Sequence, residues 1–390
     1  MMQPLNRRQW LQRSALLAAG LSQLHQLRAE TARQIHQFER EFDPLSRLPK
    51  GQRLRLAFNE NPHGMSAKAK QALLSAAETG NRYDMMGGYE LKQLIARQEG
   101  VKPENILLGA GSSELLVASA VYFTGRSGLA ANPRLLTCRP TYDDLLECVS
   151  AFGTEIVTVP LTKEYRFDLD AMKSRLAATP GVNLVYVCNP NNPTGTVLPP
   201  GDLAAFCREA SAKAPVFVDE AYIDFLKPED RPALPKLIAE GHNVLVARTF
   251  SKIHGMAGLR LGYLIGPKKT VEEMQHYSRG EWNPSVTTLR AGIASYQDTD
   301  WQAFCRTENA KAADVLYKGL KEMSYEYVPT SANFVLFPIR MKTRSFENQM
   351  MMNGVMVTTR EASGQPYCRI SLGTVAEMEG FVGAFKKVVG

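Results

Sequence analysis

Four fragments carry residue types and spacings that could do chemistry. Lys252 stands in Thr249-Phe250-Ser251-Lys252, after the apolar run Val244–Ala247 and before Ala257-Gly258-Leu259-Arg260-Leu261-Gly262-Tyr263. A lone lysine is usually a solvated surface charge. This one is flanked by Phe250 and Ile253 and followed by small residues, which suits a partly desolvated amine whose pKa falls and which can form a Schiff base. Asp219 lies in Val218-Asp219-Glu220-Ala221-Tyr222, again just past an apolar run. A carboxylate there can serve a metal, act as a base, face a cationic ring nitrogen, or simply cap a helix. Asn189-Pro190-Asn191-Asn192-Pro193-Thr194-Gly195 follows Cys188 directly. A polar, proline-rich turn at the carboxyl end of a parallel strand lies where α/β proteins bind ligands, although alone it is only a turn. Gly109-Ala110-Gly111-Ser112-Ser113-Glu114 offers backbone N–H groups and two hydroxyls at a helix start, an anion site. It is neither a P-loop nor a GxGxxG fingerprint, because no Gly-Lys-Ser/Thr follows and the glycine spacing differs.

These fragments need strands to hold them. Short apolar runs recur at Ile106–Leu108, Leu135–Cys138, Glu155–Val159, Leu184–Cys188, Val216–Val218, Val244–Ala247 and Gly262–Ile265. Several are continuous rather than alternating, as in strands buried on both faces of a parallel sheet. Helix-length segments separate them, such as Ser113–Phe123, Tyr142–Ala151, Asp168–Ala178 and Pro200–Ala212. The βαβα pattern predicts an open α/β sheet over about 80–275. Lys268–Gln297 reads as a long helical connector with a break near Asn283-Pro284. The end reads as helix, strand, strand, helix over Phe304–Met323, Ala332–Phe337, Cys368–Leu372 and Ala376–Val389, a smaller α+β domain. The expected division is therefore a leading segment 1–35, an arm and part of the small domain over 36–79, a large domain 80–275, and a connector with the small domain over 276–390.

Composition excludes several classes. Of 390 residues 44% are hydrophobic and 22% charged, which rules out disorder, collagen and coiled coil for the whole chain. No apolar run reaches the roughly 18–20 residues that span a bilayer. Six cysteines without a CxxC pair indicate neither a zinc site nor a disulfide framework, and no metal is expected. The net charge is +7, but Arg7, Arg8, Arg13 and Arg28 supply four of the seven within the first 29 residues, leaving a body of only +3. No basic block interleaved with aromatics suggests nucleic-acid binding. Asn6-Arg7-Arg8-Gln9-Trp10-Leu11 before the weakly apolar Ser14–Leu21 resembles a twin-arginine (Tat) export signal, which predicts a periplasmic protein. The competing reading is an amphipathic N-terminal arm of a cytoplasmic protein.

In their order and spacing the four fragments resemble the pyridoxal-phosphate-dependent aminotransferases of fold type I, and within them the histidinol-phosphate aminotransferase branch. Three further pieces carry the resemblance to that branch: Asn59-Glu60-Asn61-Pro62, Arg139-Pro140-Thr141-Tyr142 and Arg369-Ile370-Ser371-Leu372-Gly373-Thr374. It covers about 55–390. The resemblance implies the following roles. Lys252 holds pyridoxal 5′-phosphate as an internal aldimine and shuttles the proton. Asp219 pairs with the pyridinium nitrogen. Asn192 and Tyr222 bind the phenolic oxygen, and Tyr142 covers the ring face. Gly111, Ser112, Ser113, Ser251 and Arg260 bind the phosphate. Arg369 binds the anionic group of the substrate, with Asn61 and Arg360 as further contacts. Tyr83 reaches the phosphate of the other subunit, which implies a homodimer with shared active sites.

Two departures bear on the substrate. His63 stands where the branch carries an aromatic residue, and Arg360 is displaced from the usual pattern, which makes it either a second substrate-anion contact or an ordinary surface arginine. The donor could be an amino acid or a phosphorylated amine, and the acceptor a 2-oxo acid. Export argues against simple histidine biosynthesis. A decarboxylase on the same scaffold is the rival activity; a non-catalytic pyridoxal-phosphate-binding protein is the rival class.

Overall fold

A computed structural model describes residues 53–390 except 85, 126–131 and 363. The expected export signal and the first part of the arm, 36–52, therefore lie outside the described residues. In chain order the strands are β1 (Leu54–Arg55), β2 (Ile106–Gly109), β3 (Arg134–Arg139), β4 (Glu155–Pro160), β5 (Val182–Cys188), β6 (Val216–Asp219), β7 (Val244–Thr249), β8 (Gly262–Ile265), β9 (Phe334–Pro338), β10 (Val355–Met356), β11 (Thr358–Ala362) and β12 (Gln365–Ser371).

Seven strands form the main sheet in the order β2-β8-β7-β6-β5-β3-β4. β7, β6, β5, β3 and β4 run parallel, while β8 is antiparallel to both β2 and β7. Every residue of β2, β6, β7 and β8 is buried, as continuous apolar runs require when helices cover both faces. The register aligns the strand ends: Cys188 pairs with Asp219, and Asp219 with Ala247. The polar turn after β5, the acid ending β6 and the lysine after β7 thus emerge side by side. The reversal of β8 matters equally. Gly262 opens β8 opposite Gly109 and Thr249, so the residues entering β8, Arg260 among them, arrive at the same edge.

A smaller unit has its own core of Leu316, Phe337, Phe346, Phe381 and Phe385, among others. β11-β12-β9 form an antiparallel sheet, and β1 pairs in parallel with β10. The chain entering at Leu54 is therefore part of this unit, and Leu56 is in its core. Its last helix, Val375–Val389, starts with a reciprocal capping box between Thr374 and Glu377 and buries Met378, Phe381 and Phe385 on one face.

Three expectations need correction. The connector is two helices, Lys268–Met274 and Val286–Gln297, separated by 3-10 turns at Gln275–Tyr277 and Gly280–Trp282. Ser112–Ala120 is the α-helical part of its segment, and Val121–Gly125 continues as a π-turn. The small unit also holds a helix, Thr343–Met352, and the strands β10 and β11 that periodicity did not reveal. That helix buries only Phe346 and Met350, too narrow a stripe to read beside three consecutive methionines.

Candidate active site

A cavity of about 510 Å³ lies where the two units meet, walled by Lys252, Asp219, Tyr222, Arg260 and Arg369. At one end is a cup of donors. Ser112 and Ser113 begin the helix Ser112–Ala120, and Gly111 precedes them at φ +80°. Arg260 Nη1 donates to Ser251 Oγ at 3.2 Å and Nη2 to Ser113 Oγ at 3.5 Å. Among the described residues, the partners of this guanidinium are hydroxyl and carbonyl oxygens, none of them a carboxylate. Helix N-terminus, hydroxyls and a cation without an acid fit a phosphate. The glycines keep the cup tight. A Cβ on Gly262 would lie 2.5 Å from Ser112 N.

Lys252 lies beyond the cup. Its Nζ donates to the Phe58 carbonyl at 3.2 Å and stands 5.4 Å from the Tyr222 ring centroid. Burial, then the positive charge of Arg369, lowers its pKa to about 8 against the opposing pull of Glu60 and Asp219. An amine with that pKa is a usable nucleophile near neutrality. Asp219 is buried at the end of β6. Ala221 N–H donates to Oδ1 at 3.0 Å, and the Tyr186 hydroxyl to Oδ2 at 3.3 Å. Burial raises its pKa to about 6, and these donors and Lys252 hold it down. A buried carboxylate with no cation bonded to it among the described residues suits a cationic ring nitrogen.

Tyr222 lines the same cavity. Its oxygen accepts from Asn59 Nδ2 at 2.9 Å and from Asn192 Nδ2 at 3.5 Å. Asn192 is held in the turn after β5, which Asn191 clamps by accepting from Thr141 Oγ1 at 2.9 Å and donating to the Pro140 carbonyl at 3.1 Å. This is why the Arg139–Tyr142 and Asn189–Gly195 fragments come as a pair. Tyr142 faces the same cavity, and its hydroxyl donates to Asp144.

Arg369 projects from β12, with only 7% of its surface exposed. Nη1 donates to Asn192 Oδ1 at 3.0 Å and Nη2 to the Ala57 carbonyl at 2.7 Å, while Nε has no partner among the described residues. Burial, and Arg360 among its neighbours, push its pKa down. Arg360 is exposed at the cavity mouth, and no carboxylate pairs with either arginine among the described residues. Two cations facing one opening make an anion site.

Not every expected residue is here. Asn61 Nδ2 donates to the Ile253 carbonyl at 2.7 Å and its Oδ1 accepts from His63 N–H at 3.0 Å, so it ties the loop together instead of facing a substrate. Asn59, two residues earlier, enters the cavity in its place. His63 packs edge-on against Phe304, 5.2 Å between centroids. Tyr83 is 83% exposed, beside Trp282, and does not line this cavity.

The family described as Aminotransferase class I and II matches residues 52–385. The histidinol-phosphate aminotransferase of Moorella thermoacetica is 33% identical over 338 residues, 86% of this chain and 85% of its own. Histidinol-phosphate aminotransferase 2 of Pasteurella multocida is 30% identical over 95% of this chain and 97% of its own. Among solved structures, histidinol-phosphate aminotransferase from Sinorhizobium meliloti in complex with pyridoxal-5′-phosphate superposes with a TM-score of 0.77. It is 26% identical and covers 86% of this chain and 90% of its own.

Proposed function

We propose that this chain, which belongs to the class I and II aminotransferases, moves an amino group from a primary amine carrying an anionic group to a 2-oxo acid. Pyridoxal 5′-phosphate is the cofactor of this chemistry, and the residues around the cavity fit it. The observation that carries the reading is the convergence of a half-buried lysine, a buried acid and an acid-free phosphate cup on one cavity.

When bound, the cofactor supplies an electron sink for negative charge developing at the substrate α-carbon. Ser112, Ser113, Ser251 and Arg260 would hold its phosphate, and the Lys252 amine would condense with its aldehyde carbon with release of water. Asp219 keeps its ring nitrogen protonated. Tyr222 and Asn192 donate to its phenolic oxygen, and Tyr142 covers the ring. Arg369 and Arg360 bind the substrate's anionic group, orienting the α-carbon toward Lys252. The Lys252 amine, its pKa lowered by burial, would take the α-proton and return it. Phosphate and carboxylate both suit the arginine pair, so the donor class includes phosphorylated amines of the histidinol phosphate kind beside amino acids.

Two proposals reach beyond one chain. The exposure of Tyr83 supports a homodimer in which it reaches the partner's phosphate cup. The Arg7-Arg8 segment supports export of the loaded enzyme through the twin-arginine route, which carries folded proteins.

The experiment is a stopped-flow screen of free and phosphorylated amines against the cofactor-loaded protein. A productive donor bleaches the visible absorbance, and a 2-oxo acid restores it. Replacing Arg369 by Lys should weaken the productive donor about tenfold or more, since the fork geometry is lost. Release of CO₂ with no dependence on a 2-oxo acid would mean decarboxylation instead.

A further inference from the structure

Asn59 is 1% exposed, yet its backbone takes φ +56°, a region that residues other than glycine seldom adopt. Partners in the small unit hold it there. Its N–H donates to Ser371 Oγ at 2.7 Å, and its carbonyl accepts from Asn333 Nδ2 at 3.0 Å. The Ser371 hydroxyl, already an acceptor, donates to Asn59 Oδ1 at 3.1 Å. In this arrangement Oδ1 accepts from Ser371, and Nδ2 donates to the Tyr222 oxygen at 2.9 Å.

The consequence falls on Tyr222. Its oxygen accepts from Asn59 and, at 3.5 Å, from Asn192. With its lone pairs occupied, its own proton is left to point into the cavity. We propose that Asn59, seated by Ser371, is a positioning residue that fixes the Tyr222 hydroxyl as a hydrogen-bond donor toward the phenolic oxygen of the cofactor. Burial supports this by keeping Tyr222 protonated. Because Ser371 and Arg369 share β12, the seat of Asn59 moves with the arginine that takes the substrate's anion. The inference rests on the cofactor reading above.

The other charged or titratable groups around Tyr222 are Arg369 on β12, Asp219 on β6, Cys188 on β5, Tyr142 after β3 and Lys252 after β7. None is altered by the variants below. The measurement is the pH midpoint of the visible absorbance change in cofactor-loaded protein, read in Asn59→Ala, Tyr222→Phe and the double variant, with melting temperatures of the cofactor-free forms beside them. Losing the Tyr222 bond makes the bound imine harder to deprotonate, so Tyr222→Phe should raise the midpoint by about one pH unit or more. Asn59→Ala should raise it by a smaller amount when Tyr222 is present and by nothing further when Phe stands there. An Asn59→Ala midpoint equal to wild type, or an equal shift in both backgrounds, overturns the inference. If Asn59→Ala does not fold, Ser371→Ala, which removes only the seat, is read in the same two backgrounds with the same two outcomes. A midpoint unmoved by Tyr222→Phe itself overturns the role given to Tyr222, and this inference with it.

Discussion

The α-carbon of Gly111 faces the guanidinium of Arg260 so closely that an added Cβ would lie 2.4 Å from Nη2. The contact leaves no room for a side chain, and φ +80° at Gly111 would strain any other residue. Gly111→Ala should therefore push Arg260 out of the cup. We expect cofactor affinity to fall about tenfold or more, equivalent to ~1.4 kcal/mol, and the cofactor-free protein to lose about 1 kcal/mol of stability. Fluorescence titration with pyridoxal phosphate reads the first, and urea unfolding the second. An unchanged dissociation constant would remove Arg260 from phosphate binding.

Lys252→Ala should leave a folded protein that cannot attach the aldehyde. In the wild type, borohydride reduction followed by peptide mapping should place the pyridoxyl label on Lys252. The rate of attachment carries a pH signature. The neutral amine is the nucleophile, and its pKa is lowered to about 8 by burial. The rate should climb about tenfold per pH unit below 8 and level above it, roughly two units earlier than a solvated lysine. Label on a different lysine ends the assignment.

Asp219→Asn separates electronics from retention. The carboxylate acts on the ring nitrogen, whereas the cup holds the phosphate. Turnover should drop on the order of a hundredfold or more, while cofactor affinity changes less than about tenfold. Half-reaction rates near wild type would show that Asp219 does not protonate the ring.

Location has its own test. Arg7→Lys with Arg8→Lys should trap an active, cofactor-loaded enzyme in the cytoplasm, with an unchanged melting temperature. The pair precedes a segment that is alanine-rich and too short to anchor, and it lies in a stretch of 29 residues that carries four of the seven net positive charges. Cell fractionation decides. A double variant that is still exported, or retained only because it is destabilised, makes the segment a structural arm.

What could be read from the chain by itself was local. Strand and helix types followed from apolar runs and breakers, and all seven expected strands of the main sheet are present, because each depends on neighbours a few residues away. The lysine, the acid and the glycine–serine turn were recognisable for the same reason: each is a short fragment at a strand end. The order of the fragments then pointed to the family. Tertiary structure decided which of two asparagines two residues apart faces the chemistry. Asn59 and Asn61 have the same side chain in the same turn-rich stretch. What separates them is Ser371, 312 residues further along the chain, which seats Asn59, and Ile253, 192 residues away, which takes Asn61. Likewise, nothing local shows that β8 runs backwards and so delivers Arg260 to the cup beside Ser113. Such placements are set by hydrogen bonds and register across hundreds of residues, which periodicity within a window does not contain.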